Sequence, residues 1–85
     1  MARNEGRLVA DPRWGIALDD PGGFVREVIW PYGYAARQDD RMGLVNELGQ
    51  IVAREGDLVA MGGGEAGSNG PWRMCPGSLE VLSND

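Results

Sequence analysis

Residues 50–65 read Gln50-Ile51-Val52-Ala53-Arg54-Glu55-Gly56-Asp57-Leu58-Val59-Ala60-Met61-Gly62-Gly63-Gly64-Glu65. Two short apolar runs, 51–53 and 58–61, flank a charged Arg-Glu-Gly-Asp turn, and a glycine triplet follows. Runs of this length, rich in β-branched residues and bounded by turn formers, predict a strand, a turn and a second strand. Just upstream, Met42-Gly43-Leu44-Val45 precedes Asn46-Glu47-Leu48-Gly49. That four-residue loop places Gly where a type I turn closes into a bulge, so residues 42–53 form the best hairpin of the chain.

Working outward, Arg7-Leu8-Val9-Ala10 is a short β-capable run that Asp11-Pro12 stops, and residues 14–18 form another. Asp19-Asp20-Pro21-Gly22-Gly23 is a turn, because Pro presets its first corner and Gly accepts positive φ at the next. The strand that follows, residues 24–30, mixes apolar and charged side chains on both faces. It is therefore covered on both sides or carries a bulge near Arg26 and Glu27. Pro31 ends it, and residues 35–42 have no apolar stripe, which reads as a loop or a single helical turn. After Gly62 the chain becomes small, polar and glycine-rich, and residues 62–71 are expected to form a mobile loop. Residues 72–75 return as a short strand and 78–82 as an edge strand, with 1–6 and 83–85 frayed. The expectation is one domain spanning residues 1–85, all-β: a small OB-like or SH3-like barrel of five to seven short antiparallel strands.

Composition narrows the chemistry. With 85 residues the chain buries only about two-thirds of the surface it exposes when unfolded, so its stability is modest. All basic residues are Arg, and the net charge of −5 repels phosphate backbones and anionic membranes, which makes nucleic acid an unfavoured partner. There is no His, hence neither the commonest general base nor the commonest metal ligand, and the lone Cys75 excludes an internal disulfide. Cys75 reads as a buried or half-buried small hydrophobe in a reducing compartment. The N-terminal residues include Glu5 and lack an apolar stretch, and no segment is long enough to span a bilayer, so the expected location is cytoplasmic.

Three elements, taken in order, carry a family resemblance: Trp30-Pro31-Tyr32-Gly33, the hairpin ending Gly49-Gln50-Ile51-Val52-Ala53, and Gly56-Asp57-Leu58-Val59 followed by Gly62-Gly63-Gly64. Together they resemble small, uncharacterised bacterial β-barrel proteins, mostly actinobacterial, that bear WPxG and GDxVxxGGG elements. The resemblance covers residues 7–75. It implies a fold and no agreed activity. Family members often carry a second Cys in an early strand, where this chain has Trp14-Gly15-Ile16.

Each candidate site competes with a plain structural reading. The glycine triplet can form an anion nest, but a phosphate loop needs a Lys and a helix, and here Glu65 follows; a close backbone approach or bend in the barrel explains it better. Asp19-Asp20 and Asp39-Asp40 lack the alternating register of a calcium loop and read as solvated turn residues. Ser68, Ser78 and Ser83 have no His to activate them. One constellation is suited to ligand binding: Trp30, Tyr32, Tyr34 and Trp72 with Arg37 and Arg73, whose rings and guanidinium groups suit stacking on bases or sugars. The competing reading makes Trp30 and Trp72 core plugs of a small barrel. The expected function is a non-enzymatic protein-interaction or structural accessory module without cofactor or metal. Its partner is another protein or a second copy joined through residues 79–82. The alternative is an OB-type binder of single-stranded nucleic acid or oligosaccharide.

Overall fold

The computed structural model of the chain describes residues 2–20, 23–65 and 70–83. Among them there is no helix. Ten strands run β1 Ala2–Asp11, β2 Gly15–Asp19, β3 Val25–Arg26, β4 Val28–Ile29, β5 Ala35–Gln38, β6 Met42–Val45, β7 Ile51–Arg54, β8 Leu58–Glu65, β9 Trp72–Met74 and β10 Glu80–Ser83. The chain is all-β, as its turn-rich composition predicts.

β1 is long because its halves serve different neighbours. Its first half, through Arg7, pairs antiparallel with β8, and from Arg7 to Asp11 it pairs antiparallel with β2. At the changeover the Leu8 N–H donates to the Asp57 carbonyl at 3.0 Å, and the Leu8 carbonyl accepts the Gly56 N–H at 2.7 Å. The Gly56-Asp57 turn is thereby stitched to the middle of β1. The main sheet has the order β3-β2-β1-β8-β9-β4, with β10 paired to residues 58–60 of β8.

β3 and β4 stand at opposite ends of that order, yet only Glu27 separates them in the chain. They are two halves of one bent segment: the first half bonds to β2, the second runs parallel to β9. The sheet therefore curls until it is nearly closed. This accounts for the mixed faces of residues 24–30, since the pairing side changes at Glu27, where a bulge was expected. Along the closed path alone, with β5–β7 and β10 set aside and β3 and β4 taken as one wall, the five walls are β1, β2, β3/β4, β8 and β9: the third lies parallel to the fifth, and the first pairs with the second and the fourth. Of the two expected topologies this is the OB-like order; an SH3-like meander pairs its strands antiparallel throughout.

The interior holds Leu8, Ile16, Leu18, Val59, Met61 and Trp72, joined by Leu44 and Ala53 from a separate three-stranded sheet, β5-β6-β7. Burying each such aliphatic side chain contributes about 1.5–3 kcal/mol. The hairpin of β6 and β7 turns at residues 46–50, where the Asn46 side-chain oxygen accepts the N–H groups of Leu48 and Gln50, both at 3.0 Å. Gly33 lies so close to this hairpin that a Cβ there would sit 2.6 Å from that of Glu47, so the Tyr32-Gly33 turn requires glycine.

Several local expectations are corrected. Residues 2–6 are not frayed, because their backbone pairs with residues 59–63 of β8. Residues 35–38 form an exposed edge strand instead of a loop or helical turn, since β6 offers them a ladder. Residues 62–65 belong to β8 and not to a loop, held by β1 and β9 on either side, while 66–69 lie outside the described residues. Ser83 pairs with Leu58 in β10; residues 84–85 lie outside the described residues. The antiparallel expectation fails at β4 and β9, where the crossover through the small sheet returns the chain in the same direction.

Candidate functional site

The six residues expected to form an aromatic and arginine surface are spread over the molecule. Trp30 is half-buried against the core, and its indole N–H donates to the Ile16 carbonyl at 3.3 Å, tying the end of β4 to β2 across the barrel. Tyr34 also packs on the core, whereas Tyr32 is fully exposed at the tip of its turn. Arg37 is exposed on β5 in the small sheet, and Arg73 is exposed on β9 in the barrel. Trp72 departs most from a surface role: at 4 % exposure it is a core residue, because parallel pairing aligns it with the buried Val28. Among the described residues no cation–π contact joins any of these six. Trp30 and Tyr34 each pack against the core. Tyr32, Arg37 and Arg73 remain separate surface groups.

The structure brings together a different set. Trp14, Phe24, Val25, Arg26, Glu27 and Pro71 line a shallow groove of about 140 Å³. Trp14 is placed by the turn that follows β1: the Asp11 carboxylate accepts the Arg13 N–H at 2.7 Å, which folds residues 11–13 back. That hydrogen bond is the main cause of a lowered Asp11 pKa, opposed by partial burial and reinforced by the Arg13 side chain. The Arg13 guanidinium lies 4.2 Å from the centre of the Trp14 ring. Across the groove the Arg26 guanidinium lies 5.2 Å from the Phe24 ring, and Phe24 itself is 45 % exposed.

The charges in this groove are mostly matched. Arg26, nearly buried, is ion-paired to Asp20 at 3.5 Å and to Glu65 at 3.4 Å, and Arg13 is paired to Asp11 at 3.4 Å. Glu27 lines the groove, and among the described residues its carboxylate takes part in no ion pair. An apolar floor with paired cations and an unpaired carboxylate can hold an apolar or cationic side chain.

The residues of this groove were hidden in the sequence because Trp14 and Phe24 read as the first positions of strands. The signal that marks them is local: each aromatic follows a turn and has an arginine within two positions, as Arg13-Trp14 and Phe24-Val25-Arg26. Loop residues held by a rigid scaffold are where binding groups concentrate.

Other concavities lie among the described residues. Asp39, Asp40, Arg41 and Arg54 border one of about 170 Å³ at the turn between β5 and β6. Gly63, Glu65, Arg73, Met74 and the half-buried free thiol of Cys75 border one of about 300 Å³. Among the described residues no group of three or more His, Cys, Asp or Glu is placed to hold a metal ion. No helix is long and apolar enough to cross a membrane among them either. The chain matches no family model, no curated protein and no solved structure, so the strand order and the groove carry the functional reading.

Proposed function

We propose that the chain is a non-enzymatic β-barrel that docks a partner protein through the groove between Trp14 and Phe24. The observation that carries this reading is the ion pairing of the arginine that lines the groove, Arg26, with Asp20 and Glu65. A polyanion gains affinity when unpaired cations displace its counterions, and this cation is already ion-paired. A polypeptide needs an apolar centre with a polar rim, which Phe24, Val25 and the surrounding carboxylates supply.

A second reading is an OB-type binder of single-stranded nucleic acid or oligosaccharide. It is favoured by the strand order, because OB barrels bind ligands across the second and third strands and the adjoining loops, where Trp14 and Phe24 lie.

A photo-crosslinking residue at position 24, introduced in the full chain, tests the first reading in cells of the native host. A discrete protein adduct at position 24 that is missing when the same residue is placed at position 32 is the expected result. No adduct at position 24, together with salt-sensitive binding of a single-stranded oligonucleotide, would replace it with the second.

A further inference from the structure

We propose that the groove takes a single lysine or arginine side chain presented by the partner, its aliphatic stem against Trp14 and Phe24 and its cation at the Glu27 carboxylate. The inference rests on the protein-docking reading above and narrows the partner to one that offers a basic segment.

Size, surface and charge lead to this occupant. A groove of about 140 Å³ has room for one long side chain and not for a folded element. Its rings are of the kind that lysine and arginine stems cover while the charged head remains at a polar rim. Both rings already associate with guanidinium groups of their own chain, at 4.2 and 5.2 Å, so their surroundings accept cations.

The charge arrangement gives the sign. Arg26 in the groove has two carboxylates, Asp20 and Glu65, whereas Glu27 lines the groove without an ion pair among the described residues. The unmatched charge at the site is therefore negative, in a chain whose net charge is −5. An acidic or phosphorylated segment would meet Glu27, and the charge of Arg26 is already balanced by Asp20 and Glu65, although its Nε and Nη1 make no hydrogen bond. A basic segment is complementary both to the site and to the surrounding field, which also speeds its encounter.

The test selects short random peptides displayed on phage against the immobilised full chain at low ionic strength. The recovered peptides are then titrated into the isotope-labelled protein. The expected peptides carry Lys or Arg beside an apolar residue, shift the Trp14 indole resonance, and lose affinity about tenfold or more with Glu27→Gln and with Phe24→Ala. Glu80→Gln, which removes the same charge from β10 outside the groove, leaves their affinity unchanged and so separates the site from net charge. Thermal melting confirms that each variant is folded. Groove-binding peptides that lack a basic residue, or that bind Glu27→Gln as well as the parent, overturn the inference while leaving the docking reading in place. Peptides indifferent to Phe24→Ala as well as to Glu27→Gln, or a selection that returns none, overturn both.

Discussion

The backbone carbonyl of Glu27 accepts the amide of Trp72 at 2.8 Å, and at that bond the two ends of the main sheet meet. Glu27 is the hinge between β3 and β4, and Trp72 is the first residue of the strand that receives β4 in parallel. The same two residues also link closure to the groove: Glu27 lines its wall, and Pro71, just before Trp72, faces it. A barrel that fails to close there would lose the groove with its core.

Trp72→Ala removes the largest side chain at that closure and should cost about 3–5 kcal/mol. Against a total of about 5–15 kcal/mol for a domain, that leaves little or no margin. Trp72→Phe should cost clearly less. It keeps a ring in the core and removes a buried indole N–H that has no acceptor. Urea unfolding followed by the fluorescence of Trp14 and Trp30 measures both variants; equal midpoints would contradict the core role of Trp72.

Neighbouring glycines of β8 should respond in opposite ways to alanine. Gly63 has φ 148° and its absent Cβ would strike the Arg73 carbonyl and approach the Trp72 indole nitrogen at 2.9 Å. Gly64 has open space around its missing Cβ. Gly63→Ala should cost about 1–3 kcal/mol through backbone strain and displacement of β9, whereas Gly64→Ala should stay within about 0.5 kcal/mol of the parent. Melting temperatures decide it, and two similar values would mean that β8 and β9 are not packed this closely.

How legible this molecule was depended on sequence distance. The hairpin of β6 and β7 could be read because Asn46, Gly49 and the flanking apolar runs specify it within about a dozen residues. The bend at Arg26 and Glu27 could be read because a mixed strand face has few explanations. The pairing of residues 2–6 with 59–63 could not, since Arg3, Asn4 and Glu5 carry no apolar signal and their partner is far along the chain. The same holds for the groove: Trp14, Phe24 and Pro71 come from three separate segments of the chain, and only the barrel's closure joins them. Trp72 could be placed inside only once its parallel alignment with Val28 was known, because a Trp beside an exposed Arg73 has the pattern of either a core or a surface strand.

Ser78 acts as a clasp between β8 and the turn after β9. Its hydroxyl accepts the Gly62 N–H at 3.0 Å and lies 2.6 Å from the Cys75 carbonyl, to which it donates. Ser78→Ala leaves the Gly62 N–H without that acceptor and should cost about 1–3 kcal/mol. Amide exchange separates this local effect from general loosening: the Gly62 amide should lose protection more than that of Leu18. Uniform acceleration across both would assign Ser78 a different role.

Asp11 offers a pH dependence whose sign follows from its contacts. The Arg13 backbone N–H, with the Arg13 side chain assisting, stabilises the charged carboxylate and holds its pKa below the ordinary aspartate range, partial burial notwithstanding. The folded value therefore lies below the unfolded one. In that window the unfolded chain binds more protons, so stability rises with pH. The contribution is complete above the ordinary range of an aspartate and is lost as pH falls through the depressed folded value. Asp11→Asn should flatten this part of the stability profile, as read by urea unfolding at stepped pH. Arg13→Ala should raise the Asp11 pKa only part of the way, because the backbone N–H that contributes most survives the substitution. A side-chain carboxyl titration by NMR that placed Asp11 in the ordinary range would remove the folded-back turn on which the position of Trp14, and with it the groove, depends.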